Sequence, residues 1–230
     1  MTYVSRDSYV SRDYRAEIAV PVSEFEGSRS LYSRIGKREL DLVLCVILTP
    51  IVFVAVALIA LAVKLEGGPV FFRQKRLGQN GRVFKILKVR TMVDDAEARL
   101  EEYLVANPEA RAEWDHNQKL RKDPRITRVG RFLRRTSLDE LPQLWNVFRG
   151  DMAIVGPRPM TVEQGPLYPG TAYYRLRPGI TGPWQVSDRH ETSFAARATY
   201  DTTYAQTLSL SNDLTILGKT VGVVLRCTGV

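Results

Sequence analysis

From Leu42 to Val63 the chain runs 22 residues without a charged side chain, interrupted in polarity by Thr49 and in backbone by Pro50. As a helix this run is about 33 Å long, enough for a hydrocarbon core of about 30 Å. No face of it is polar, which argues against a helix buried in a soluble protein. It starts too far from Met1 and is too long for a signal peptide, although Ala60-Leu61-Ala62 has the small-residue form of a cleavage site. Two placements remain: a straight span, or a helix that enters a membrane and returns. Basic residues stand at both ends, Arg34, Lys37 and Arg38 before the run and Lys64, Arg73, Lys75 and Arg76 after it. A single span normally shows a bias to one side, so this symmetry favours return. Pro50 removes a backbone donor near the middle and clashes with the preceding turn, which predicts a kink there.

The 230 residues carry 33 Lys+Arg against 25 Asp+Glu, a formal net charge of +8. A mean hydropathy of −0.17 excludes a multi-span membrane protein. With 44% hydrophobic and 25% charged residues, the chain is neither disordered nor collagen-like, and its length fits one domain with an appendage. The charge is localised. Residues 1–36 balance five Arg with five acids, whereas residues 37–93 hold ten basic residues against Glu39, Asp41 and Glu66, a net of +7. Charge gathered around an apolar segment points to an anionic membrane surface before nucleic acid. Cys45 and Cys227 form no CxxC pair, which argues against a disulfide framework and fits a reducing compartment.

Ahead of the apolar run, residues 1–30 read as a flexible polar tail in which Tyr3-Val4-Ser5-Arg6-Asp7 recurs as Tyr9-Val10-Ser11-Arg12-Asp13. After it, Val70–Leu77 and Arg82–Val89 read as a hairpin closed at Asn80-Gly81, where positive φ angles are tolerated. Asp94 to Trp114 reads as helix divided by Pro108, followed by Arg125, Arg128 and Arg131 at helical spacing, with Arg134 and Arg135 beyond. That basic row is either a solvated helix face or a phosphate-binding one. Ser137-Leu138-Asp139-Glu140 has the form of a capping box opening a helix toward Phe148. Two acids in a first turn are favoured by the helix dipole and need no chemistry to explain them.

Asp151–Val155 reads as a short strand entering Gly156-Pro157-Arg158-Pro159, where two prolines stiffen the loop around a guanidinium suited to a bidentate grip on phosphate. A second Gly/Pro-dense loop runs from Arg177 to Gln185, and Ser193 to Leu225 reads as helical. Either loop could equally be a turn scaffold.

Taken in order, several stretches resemble the bacterial polyprenyl-phosphate sugar-phosphate transferases, the monotopic phosphoglycosyltransferases of the short exopolysaccharide-initiating type. They are Lys37-Arg38-x-x-Asp41, Gly68-Pro69-Val70-Phe71-Phe72-x-Gln74-x-Arg76-x-Gly78 and Phe84-Lys85-x-x-Lys88-x-Arg90-Thr91-Met92. Thr136 to Gln143, Gly150-Asp151-Met152, Gly156 to Pro159 and Arg177 to Gly182 complete the set. The resemblance runs from about Lys37 to the C-terminus.

It implies a mixed α/β, mostly helical fold with amphipathic interfacial helices, a small β-hairpin or sheet, and a re-entrant membrane helix kinked at Pro50. Thr49-Pro50 stands where the family usually has Ser-Pro. The expected organisation is a tail over 1–30, the re-entrant helix over 31–66 and a cytoplasmic catalytic domain over 67–230, on the cytoplasmic face of the bacterial inner membrane. The implied reaction moves a sugar-1-phosphate from a UDP-sugar to undecaprenyl phosphate and releases UMP. Asp139 is the expected nucleophile, and Asp139 and Glu140 the expected Mg²⁺ ligands. Arg158, Lys88, Arg90, Arg177 and Gln143 are expected at the phosphates or substrate, and Lys37, Arg38, Asp41, Thr49 and Pro50 at the membrane or its head groups.

Pro183-Trp184 and Ser187-Asp188-Arg189-His190 depart from the family pattern in the loop expected to recognise nucleotide or sugar. Partners expected are the UDP-sugar, undecaprenyl phosphate and anionic lipids, without nucleic acid, and a homodimer stays open. Two other readings compete. A membrane-associated glycosyltransferase would release UDP, although the chain contains no Asp-x-Asp. A non-enzymatic lipid-binding module would tolerate loss of both acids.

Overall fold

The computed structural model describes residues 30–117, 120, 122–187 and 194–226, so the N-terminal repeat, Asp188-Arg189-His190, Ser193 and Cys227 lie outside the described residues. A wide turn, Tyr32–Gly36, leads into α1, Lys37–Leu65, a single helix of 29 residues with Pro50 inside it. The missing N–H of Pro50 leaves the Val46 carbonyl without its helical donor. The Thr49 hydroxyl donates back to the Cys45 carbonyl at 2.6 Å, a bond that bends helices. Val46, Ile47, Ile51, Phe53, Val54, Leu58 and Leu61 along the middle of α1 are exposed. By length and composition the helix could cross a membrane.

Both ends of α1 are fastened to the same body. At its start Lys37 Nζ sits 2.8 Å from Asp213 Oδ2 and 3.7 Å from Asp41. Asp41, 1% exposed, accepts the Ile154 N–H at 2.9 Å. Arg38 donates to the Val147 and Phe148 carbonyls at 2.7 and 3.0 Å, satisfying acceptors that a short helix end leaves open. At the far end Val63 packs with Val89 and Leu133, and Glu66 Oε1 accepts the Val129 N–H at 3.1 Å. Lys37, Arg38 and Asp41, expected at lipid head groups, are thus bonded to the domain. They sit where α1 meets the domain, and charges buried at such a junction must be paired or hydrogen-bonded.

β1, Phe71–Leu77, and β2, Val83–Val89, pair antiparallel with Leu77 opposite Val83. The connection reverses through Asn80 at φ 56° and Gly81 at φ 71°, as the Asn-Gly pair predicted. Pro108 does divide the acidic stretch into α2, Ala96–Ala106, and α3, Pro108–Asn117. The basic row is shorter than its spacing implied. α4 is Arg128–Thr136, and Thr127 is its N-cap, accepting the Gly130 N–H at 2.9 Å. Arg125 lies ahead of that cap, paired with Asp123 at 2.6 Å.

After α4 come α5, Leu144–Arg149, and β3, Ala153–Val155, then α6, Ala172–Arg175, and β4, Gly179–Thr181. β3 and β4 pair in parallel, Ala153 with Gly179 and Val155 with Thr181, so the two Gly/Pro-dense loops are neighbours. The expected C-terminal helical region is two helices, α7 over Arg197–Gln206 and α8 over Leu210–Leu225. Ser209 separates them and caps α8 by accepting the Asn212 N–H at 3.3 Å.

The main core gathers Phe84 and Ile86 of β2, Leu144 and Val147 of α5, Ile154 and Val155 of β3, and Tyr204 and Ile216 of the C-terminal helices around Cys45 of α1. Each fully buried apolar side chain of this size contributes about 1.5–3 kcal/mol. A second cluster of Leu77, Met160, Tyr168, Tyr173 and Tyr174 braces the hairpin from its other end.

Candidate active site

Asp139 and Glu140 lie on a 3₁₀ turn, Leu138–Gln143, and the capping box expected there does not form. Ser137 adopts φ 57° and ψ 18°, and its side chain makes no cap hydrogen bond. Its N–H donates to the Arg134 carbonyl and its own carbonyl accepts the Glu140 N–H, both at 3.2 Å. Two helical segments meet here with one residue between them, and a left-handed residue is what reverses the chain so abruptly. For serine that conformation costs about 1–2 kcal/mol, the kind of strain found at functional sites.

The turn is pressed against β2. Lys88 Nζ stands 2.6 Å from Glu140 Oε1, with the two side chains only 19% and 17% exposed. Arg158 Nη1 approaches the same oxygen at 3.9 Å. Asp139 and Gln143 are buried in the same turn. Burial pushes the Asp139 carboxyl up to about 6; Lys88 opposes the rise, Glu140 adds to it, and Arg134 and Arg158 oppose it further. The result is a desolvated carboxylate, ionised near neutral pH, facing a wall of cations. Such a group is a competent nucleophile toward phosphorus once the electrophile's own charge is offset.

Local packing fixes each cation. Arg134 donates through Nε to Thr91 Oγ1 at 2.9 Å, and α4 is held there because the Thr127 N–H donates to the Thr91 carbonyl at 3.1 Å. Gly130 allows that approach, since a Cβ on it would overlap the Thr91 backbone. Arg158 is held by the interlocked loops: the Gly156 N–H donates to Thr181 and the Gly179 N–H to Pro157, each at 2.8 Å. A side chain at Gly156 would strike the Arg177 carbonyl.

The structure brings Lys88, Glu140, Asp139, Gln143 and Arg158 together. Arg90 and Arg177 are engaged elsewhere. Arg90 bonds the Gly67 carbonyl and Asp94, and Arg177 Nε donates to the Gly150 carbonyl at 3.2 Å. These bonds brace the ends of α1 and α5. Three further arginines belong to the neighbourhood and were not singled out as site residues from the sequence: Arg76, Arg134 and Arg197. Arg76 donates to the Pro159 carbonyl at 3.3 Å, and Arg197 lies over the Trp184 and Phe194 rings at 4.1 and 4.7 Å. Burial, reinforced by the charge of Arg158, lowers both guanidinium groups to about 10. Arg76 had a usable signal in the Gln74-x-Arg76-x-Gly78 stretch; Arg197 had none.

A divalent ion can be weighed only against the donors present. Among the described residues no group of three or more His, Cys, Asp or Glu converges. Two adjacent carboxylates nevertheless suit Mg²⁺, which commonly takes one or two protein carboxylates and completes its shell with water and substrate phosphates.

Residues 32–227 match the family described as bacterial sugar transferase. The chain is 47% identical to the UDP-galactose-lipid carrier transferase of Erwinia amylovora, over 86% of this chain and 42% of that one. It is 44% identical to the exopolysaccharide production protein ExoY of Rhizobium meliloti, over 84% and 87% respectively. It is 43% identical to the UDP-glucose:undecaprenyl-phosphate glucose-1-phosphate transferase of Caulobacter vibrioides, over 82% and 69%. The chain thus spans about two-fifths of the first of these relatives and most of the second.

Proposed function

Because the chain belongs to the bacterial sugar transferase family, we propose that it transfers a hexose-1-phosphate from a UDP-sugar to undecaprenyl phosphate, releasing UMP. The observation that carries this reading is the buried Asp139 beside Glu140, with Lys88 at 2.6 Å and Arg158 at 3.9 Å from the Glu140 carboxylate. Relatives named for UDP-galactose and UDP-glucose chemistry make those two the first donors to try.

In the first half-reaction an Asp139 oxygen attacks the β-phosphorus of the donor. The bond between that phosphorus and the bridging oxygen breaks, its electrons leave with UMP, and an aspartyl phosphosugar remains. In the second, a phosphate oxygen of undecaprenyl phosphate attacks the same phosphorus and restores the carboxylate. Arg158 and Lys88 offset the equatorial oxygens as charge redistributes, the preorganised electrostatic contribution that dominates phosphoryl transfer. Asp139 and Glu140 would hold Mg²⁺, which when bound neutralises diphosphate charge. Arg134 and Ser137 position the turn without touching the substrate.

The acceptor keeps its phosphate at the membrane surface, so the site must lie at that depth. What supports a re-entrant rather than spanning α1 is that both its ends hydrogen-bond to one body while its middle is exposed. A spanning helix separates its ends by the whole bilayer. This reading places the catalytic domain on the cytoplasmic face of the inner membrane, as the first membrane step of glycan assembly.

The test is purified protein in nanodiscs with undecaprenyl phosphate, Mg²⁺ and a panel of UDP-hexoses. UMP as the nucleotide product, lost in Asp139→Asn, is the expected result. UDP as the product, or UMP release that survives Asp139→Asn, overturns it.

A further inference from the structure

The outer face of the hairpin carries charge that the dyad does not use. Lys75 and Lys85 stand directly opposite each other in the β1–β2 register, and both are exposed. Like charges in that position repel and destabilise a hairpin. With Arg82, Arg149 and Asp151 they line a groove over Phe84. Asp151 answers only part of the charge, with its carboxylate 3.5 Å from Arg149 Nε. Four cations therefore face one carboxylate.

The groove is built into the fold. The Asn146 side chain donates to the Lys85 carbonyl and accepts the Leu87 N–H, both at 2.9 Å, so α5 is stitched along the free edge of β2. Gly150, at φ 84°, then turns Arg149 and Asp151 against the hairpin. Strand alternation turns Lys85 away from the dyad: Lys88 reaches Glu140 from the side on which Phe84 and Ile86 are buried, and Lys85 points outward. Just before Arg149, Trp145 and Phe148 are each 55% exposed and stack with centroids 5.8 Å apart. Exposed aromatic rings beside a cationic groove are a pattern of membrane interfaces.

We propose that this groove binds the phosphate of an anionic phospholipid head group, with Trp145 and Phe148 seated in the interface beside it. The proposal rests on the membrane placement argued above and names a site apart from the donor and acceptor phosphates. A phosphodiester between Lys75 and Lys85 relieves their repulsion, while the ammonium of a zwitterionic head group is repelled by the same cations.

The test is hydrogen–deuterium exchange of the hairpin in the full-length protein, in nanodiscs of phosphatidylcholine with and without phosphatidylglycerol. Phosphatidylglycerol is expected to slow exchange across residues 73–87 about tenfold or more. Each cation removed, as in Lys75→Gln or Lys85→Gln, is expected to weaken that response about fivefold. Lys75→Glu separates binding from folding, because it replaces the like-charge pair with a cross-strand ion pair. That variant is expected to keep a slow-exchanging hairpin in phosphatidylcholine yet lose the response to phosphatidylglycerol. A response that persists in Lys75→Glu overturns the proposal. So does equal protection by inorganic phosphate in detergent, which would make a free anion the ligand. Incorporation into both discs with identical hairpin exchange overturns the groove alone, whereas failure to incorporate into either overturns the membrane reading with it.

Discussion

Lys85 and Lys88 stand three residues apart on one strand and meet opposite surroundings. Lys88 reaches the core side and meets Glu140 at 2.6 Å, both side chains largely buried. Lys85 points outward, opposite another lysine. The residue type is the same, and the strand's two-residue alternation assigns the roles. A desolvated ammonium is held in one geometry and tunes a neighbouring carboxylate, while an exposed one contributes field rather than position. Basic composition along this stretch therefore marks two different surfaces.

The largest effect expected on the inner face is that of Asp139→Asn, which removes the proposed nucleophile and should lower UMP release by about four orders of magnitude or more. Lys88→Gln comes next, with kcat down about 100-fold. The pH profile should make the same point: the wild-type rate is expected to fall as pH drops through about 6, where Asp139 takes up its proton. Because Lys88 holds that carboxyl down, its removal moves the acid limb to higher pH, and a limb that stays in place would separate the two residues.

Smaller effects are read in stability. Gly130→Ala drives a methyl group into the Thr91 backbone and is expected to lower unfolding free energy by about 2 kcal/mol, as measured by denaturant titration. Asp139→Asn acts in the other direction. The folded carboxyl holds its proton to about pH 6, whereas the unfolded one releases it near pH 4. Stability from this group is therefore complete below about pH 4 and is lost as pH rises to about 6. The variant is expected to be about 3 kcal/mol more stable than wild type at pH 8 and indistinguishable in charge from it at pH 4. On the outer face Lys75→Glu is expected to gain only about 0.5 kcal/mol.

What the sequence made legible was local. Asn80-Gly81 announced the hairpin, Pro108 the break between α2 and α3, and the charge-free run the long helix. The dyad was legible as a pair of residues and illegible as a shape. Nothing next to Ser137 says that it will turn left-handed, because the meeting of α4 with the following turn is decided by Thr91 and β2, more than forty residues earlier. The two Gly/Pro loops were visible singly. Their pairing through Ala153–Gly179 and Val155–Thr181 is a long-range contact with no local signature. Lys37, Arg38 and Asp41 looked like surface charge because their partners Asp213, Val147 and Ile154 lie far along the chain.

That last separation has a consequence for how the protein is made. Asp213 gathers Lys37, Tyr32 and Tyr204 around one carboxylate, and Tyr32 precedes it by 181 residues. At ribosomal rates of 5–20 residues per second, about 10–35 s pass between synthesis of the two. Through that interval α1 has been translated but Lys37 has only the more distant Asp41 of its own helix as counter-charge, so the helix start is fixed in place only when almost the whole domain has followed it out of the ribosome.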